Sequence, residues 1–284
     1  MEWYIIALIA AVILAIHDII SKKALNRQHA FSYLTISSII YFVLTLPFLQ
    51  YFDKNLSLST LFLIYFGAVI YTVYSVLLAK SYRHMEISSV VPLKILNPIP
   101  LTIIAFLILG ESITRLQLIG ILLLLAGGFI LEFYGKSFKK IISNKYIIFV
   151  LISILLFGFI ATIDKIVLKH TNVFTLLFLT TLFLLVHFLI IQFTLYKGLK
   201  DIQLGIKKNF WWIILATITA LFADFSYYQA LAVPGALVSL IVPILRLSSL
   251  FTVIIGGEIF HEKHLIRKII ACLIMIVGAL LIVS

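Results

Sequence analysis

The sequence carries one cysteine, Cys272, in 284 residues. It can therefore form no intramolecular disulfide, and it has no thiolate cluster for zinc or redox chemistry. Charge is also scarce, with Asp, Glu, Lys and Arg making up 12% of the chain, about half the share found in soluble domains. No nucleophile and base pair, metal-spaced His/Asp/Glu cluster or phosphate-cradling glycine loop appears. An enzyme is not expected, nor is a cofactor or a bound metal.

What the chain has instead is grease: 63% of its residues are hydrophobic and the mean hydropathy is +1.20. Such a composition excludes a water-soluble globular fold and places the chain in a membrane. At roughly 20 to 22 residues per crossing, ten crossings take up about 210 positions and leave room only for short connectors. The net charge of +11 would point to nucleic acid in a soluble domain. In a membrane protein it marks loops facing the cytoplasm, so no nucleic-acid partner is expected. The expected partners are the lipid bilayer and a small-molecule substrate, with the chain a monomer or weak dimer in the cell membrane. Met1, Glu2 and Trp3 form no basic leader, and the first apolar run lacks a small-residue cleavage pattern, so this run reads as a retained span.

Apolar stretches broken by charges or turn residues give spans near 2–24, 31–50, 59–82, 86–109 and 115–134. A second set follows near 145–168, 174–195, 211–231, 235–256 and 265–283. The basic linker 136–144 separates an N-terminal repeat, 1–135, from a C-terminal one, 145–284. A shift of 151 positions pairs Ala79 with Ala230, Ser88 with Ser239, Pro92 with Pro243, Glu111 with Glu262 and Gly127 with Gly278. Near the start of each half a shift of 146 pairs Asp18 with Asp164 and Lys23 with Lys169. Because each half has an odd number of spans, the second enters the membrane from the opposite side. The expected fold is thus an all-α integral membrane protein of ten transmembrane helices, two inverted-topology five-helix repeats around a central cavity.

These stretches, Ala79 to Gly128 with Ser88-Ser89-Val90-Val91-Pro92 and Leu109-Gly110-Glu111-Ser112, and their echoes from Ala230 to Ala279, resemble the drug/metabolite transporter superfamily. The resemblance is to the EamA-type ten-helix members and covers the whole chain. It implies a transporter, with both termini in the cytoplasm. The charge count implies the reverse: 16 Lys and Arg lie in the loops opposite the termini and 4 in the others, which puts the termini outside.

An ionised side chain at bilayer depth costs several kcal/mol unless it faces a wet cavity or a partner, so such residues are functional candidates. Lys94 and Arg246 lie near the middle of the fourth and ninth spans, one position from being repeat partners. Two cations meeting at the midplane suit an anion, with arginine offering a planar fork and lysine a compact charge. The resemblance adds that the phosphate-sugar translocators of the same superfamily hold their substrate's phosphate with basic residues on these two helices. The alternative role for the pair is to hold the bundle together against carboxylates.

Prolines open the same spans. Pro92, Pro98 and Pro243 each remove a donor, and Pro98 is expected to free the carbonyl of Lys94, beside Asn97. Ser239, Pro243, Arg246 and Ser249 share one helical face, expected to line the cavity. Asp224 shares a face with Tyr227 and Tyr228, and is the candidate counter-ion or proton-coupling group. Asp18, Asp164 and His17 are further candidates for that role. Tyr71, Tyr74 and Ser75 form a comparable polar face on the third span, from which Tyr74 joins the candidate substrate residues. Glu111 and Glu262 read as caps of the fifth and tenth helices.

The function expected is secondary transport, by exchange or with protons, of a small organic metabolite, anionic or zwitterionic. Two alternatives stay open: export of aromatic amino acids or amphiphilic drugs, in which Asp224 and the tyrosines dominate, and a lipid-phosphate flippase using the same basic cavity.

Overall fold

The computed structural model describes residues 2–25, 30–84, 93–133, 144, 146–195, 199–251 and 265–284. The α-helices among them are α1 (Trp3–Leu25), α2 (Ala30–Thr45), α3 (Leu58–His84), α4 (Pro98–Leu109), α5 (Arg115–Phe133), α6 (Ile147–Val167), α7 (Val173–Leu195), α8 (Leu199–Ala232), α9 (Val238–Leu245) and α10 (Leu265–Val283). Helix is the only regular secondary structure among the described residues, and the protein crosses the membrane many times. Among the described residues, six segments are long and apolar enough to span a bilayer, and four shorter apolar helices accompany them.

Sequence chemistry sets the breaks. Pro47 stops α2, and a 3-10 turn over Leu46–Tyr51 carries the second span to its end. Gly110, with φ of 66°, ends α4 in the left-handed conformation that costs glycine least. In α8 the backbone kinks at Asn209, whose side-chain amide donates a 3.1 Å hydrogen bond to the carbonyl of Ala24 in α1. The spans near 86–109 and 235–256 are interrupted. Residues 93–94 are helical, 95–97 form a turn, and α4 restarts at Pro98; α9 gives way to a turn at Arg246 before 247–251 resume helix.

The main helix contacts obey a simple rule. α1 lies on α8 as α3 lies on α6; α2 packs on α8 as α7 packs on α3; α6 contacts α4 as α1 contacts α9. The remaining large contacts, α2 with α7, α4 with α9 and α5 with α10, pair helices five apart in chain order. Large apolar side chains such as Phe62, Leu107 and Leu280 stand exposed on the outer surface, where lipid tails are the solvent. Polar groups point inward: Thr72 and His187 hydrogen-bond at 2.8 Å between α3 and α7, and His17 Nδ1 lies 2.9 Å from the carbonyl of Ala216 between α1 and α8. Hydrogen bonds of this kind hold membrane helices together where the hydrophobic effect cannot.

Candidate functional site

A cavity of about 300 Å³ lies between the two halves. It runs from mid-span toward the C-terminal ends of α1 and α3, where Ser21, Leu78 and Ala79 line it. The other end of the molecule is filled by a buried cluster including Ala7, Ile64, Leu101, Ala105, Ile241 and Val242. The cavity is thus offset toward one face of the bundle.

Lys94 and Arg246 both line this cavity, both half-buried. Each sits at the interruption of its helix, and the interruptions are made alike, with N–H groups reaching back three residues instead of four. Asn97 N–H bonds the Lys94 carbonyl at 3.1 Å, and Arg246 N–H bonds the Pro243 carbonyl at 2.9 Å. The expectation that Pro98 leaves the Lys94 carbonyl free is therefore corrected: a 3-10 turn recovers the bond that proline removes. The Arg246 guanidinium lies 5.7 Å from the ring centroid of Phe157, an aromatic wall that attracts a cation without neutralising it.

Acidic and aromatic residues line the same cavity. Asp18 and His17 on α1, Asp164 on α6 and Asp224 on α8 all line the cavity, with Tyr74, Tyr227 and Tyr228. One of these carboxylates is held by a phenol: Tyr41 donates to Asp224 at 2.9 Å. Asn97 lines the cavity with its side-chain carbonyl buried, and neither that oxygen nor the buried hydroxyl of Tyr227 has a hydrogen-bond partner among the described residues. Buried polar atoms are nearly always satisfied, so these two stand out among the residues beside the cavity.

Several expected residues lie elsewhere. Ser239 is buried and donates both its N–H and its hydroxyl to Glu111, away from the cavity lining. Pro98 and Pro243 are buried in α4 and α9 next to the lining without joining it. Pro92, Ser88 and Glu262 fall outside the described residues. Glu111 does not cap α5, whose N-terminus is closed by a reciprocal pair: Thr114 N–H donates to Gln117 Oε1 at 2.9 Å, and Gln117 N–H donates to Thr114 Oγ1 at 3.2 Å. Glu111 instead caps α9 from the other half of the chain. Phe157, Tyr33 and Ser21 line the cavity without having been singled out in the sequence. Nothing in an apolar run distinguishes a cavity-facing aromatic from a lipid-facing one.

Comparison with known proteins places this arrangement in context. The family model described as the EamA-like transporter family matches residues 1–133 and 144–284. A solved structure titled only "Crystal structure of protein" superposes with a TM-score of 0.73 at 11% identity, covering 99% of this chain and 98% of that one. At that identity the likeness is one of fold. No curated protein matches the sequence.

Proposed function

Because the chain belongs to the EamA-like transporter family, we propose that it is a secondary transporter working by alternating access on a small organic metabolite, anionic or zwitterionic. The single observation that carries this reading is the shared cavity: one cation from each half, Lys94 and Arg246, lines it at a helix interruption. Broken helices at mid-depth are where transporters coordinate charged cargo, and a volume of about 300 Å³ suits a small metabolite. Arg246, Lys94, Asn97 and Tyr227 form the substrate wall in this reading. Asp224, Asp164 and Asp18, with His17, form the wall that takes an ammonium group or a coupling proton.

Two inverted repeats, 1–135 and 145–284 joined by 136–144, supply the machinery. The helix contacts support this, since exchanging each helix for the one five places along the chain maps the main contacts onto one another. The family match in two segments, 1–133 and 144–284, supports the same division.

A second reading is favoured by the aromatic lining. Tyr71, Tyr74, Phe157, Tyr227 and Tyr228 surround the cavity, which suits cargo with an aromatic or amphiphilic body. Counterflow in proteoliposomes against organic phosphates, amino acids and aromatic cations tests both. Exchange of the negatively charged or zwitterionic compounds, lost in Lys94→Met and Arg246→Met proteins that still fold, is the expected result. Full exchange by both variants overturns the first reading, and exchange confined to the aromatic compounds, whatever their charge, selects the second.

A further inference from the structure

Glu111 follows α4 in the first half, and its side chain is buried in contact with the second half. One carboxylate oxygen accepts the N–H of Val238 at 2.8 Å; the other accepts the N–H of Ser239 at 3.0 Å and the Ser239 hydroxyl. These N–H groups belong to the first turn of α9, where Leu237 offers no side-chain cap of its own. A carboxylate there meets unpaired donors and the positive end of the helix dipole together. The cap comes from a residue 127 positions earlier in the chain.

Position gives the contact its meaning. The central cavity lies toward the C-terminal ends of α1 and α3, whereas Glu111 lies at the other end, beyond the cluster of Leu101, Ala105, Ile241 and Val242. A second cavity of about 560 Å³ begins at Glu111 and is lined also by Ser112, Lys165, Lys169, Gly235 and Leu237. Glu111 therefore stands between this vestibule and the packed plug that separates it from the cargo cavity. The same end is tied across the halves a second time, since Thr171 donates to Asp53 at 3.1 Å and Asn172 donates to the Tyr51 carbonyl at 3.0 Å.

We propose that Glu111 is the latch residue of the transport cycle at this end: its bonds to Val238 and Ser239 hold α4 to α9 while cargo is loaded from the opposite side. They part when the vestibule joins the cargo cavity. The inference rests on the transporter reading and adds a residue to it that touches no cargo. Parting the halves here requires breaking all three hydrogen bonds to one carboxylate. Lys165, which donates to the Leu231 carbonyl at 2.6 Å, and Lys169 line the vestibule, so the freed carboxylate still faces cations there.

Thiol accessibility of purified protein in nanodiscs tests this without any cargo, so its outcome is separate from that of the transport assay. In a Cys272→Ser background, Ala105→Cys places a reporter in the plug and Val150→Cys places one in a separate buried cluster at the other end. A water-soluble cationic methanethiosulfonate is the probe. Adding Glu111→Gln is expected to raise the labelling rate at position 105 by about tenfold, the population shift that loss of a charge-assisted bond produces, and to leave position 150 unchanged. Ser239→Ala removes one of the three bonds, is expected to give a smaller rise at 105, and decides the matter if Glu111→Gln does not fold. No rise at 105, or an equal rise at both reporters, overturns the latch and leaves Glu111 as a structural cap.

Discussion

The hydroxyl of Tyr41 donates a 2.9 Å hydrogen bond to Oδ2 of Asp224, joining α2 of the first half to α8 of the second beside the cavity. Asp224 lines that cavity, and Tyr41 fixes which way its carboxyl group points. Tyr41→Phe keeps the ring and removes only the donor. It is expected to cost ~1 to 3 kcal/mol, the penalty for leaving a partly buried acceptor unmet, seen as a lower melting temperature in detergent. An unchanged melting temperature would show that the bond makes no net contribution to stability.

The two cations predict a different pattern. Lys94→Met and Arg246→Met are each expected to reduce exchange of an anionic cargo by at least about tenfold. Arginine lies against Phe157 at 5.7 Å and presents a fork, so Arg246→Lys is expected to keep the fold and lose most of the affinity. Counterflow at several cargo concentrations separates a loss of affinity from a loss of turnover.

Lys94 and Arg246 were legible in the sequence because a charge in an apolar run is conspicuous whatever the fold around it. The positions of most spans were legible for the same reason, since their lengths follow from bilayer thickness. Glu111 was legible as a helix cap but not as the cap of α9. Sequence rules for capping reach three or four residues, and its partners are 127 and 128 residues away. One local signal did point the right way: Thr114 and Gln117 have the spacing of a capping box, which satisfies α5 and leaves Glu111 for another helix. Ser239 was drawn to the cavity by its helical spacing from Arg246, but that spacing takes no account of the turn at Arg246 or of Glu111. Tyr41 carried no signal at all, because tyrosine in a span is ordinarily an interfacial or packing residue.

That capping box makes its own prediction. Thr114→Ala opens the N-terminus of α5 and is expected to cost ~1 kcal/mol, measured by thermal melting. It should leave thiol labelling at position 105 unchanged, because the bonds from Glu111 to α9 are untouched. A labelling rise equal to that of Glu111→Gln would mean that any loosening of this loop exposes the plug.

The packing of α5 on α10 predicts how two glycines differ. A Cβ added at Gly120 would lie 2.7 Å from the Gly278 carbonyl oxygen and 3.0 Å from both the nitrogen and Cγ1 of Ile282, so the two backbones pack too closely for a side chain. Gly120→Ala must push the helices apart, at ~1 to 3 kcal/mol, and Gly120→Leu should cost more because the penalty grows with volume. At Gly110 a Cβ would meet nothing within 4 Å, yet φ is 66°. There the cost is backbone strain, ~1 to 2 kcal/mol for alanine, with no further increase for a larger side chain that is not branched at Cβ and partial relief from asparagine. Melting temperatures of the Ala and Leu variants at position 120 and the Ala, Leu and Asn variants at position 110 distinguish the two causes: a size-dependent series at one glycine and a size-independent one at the other.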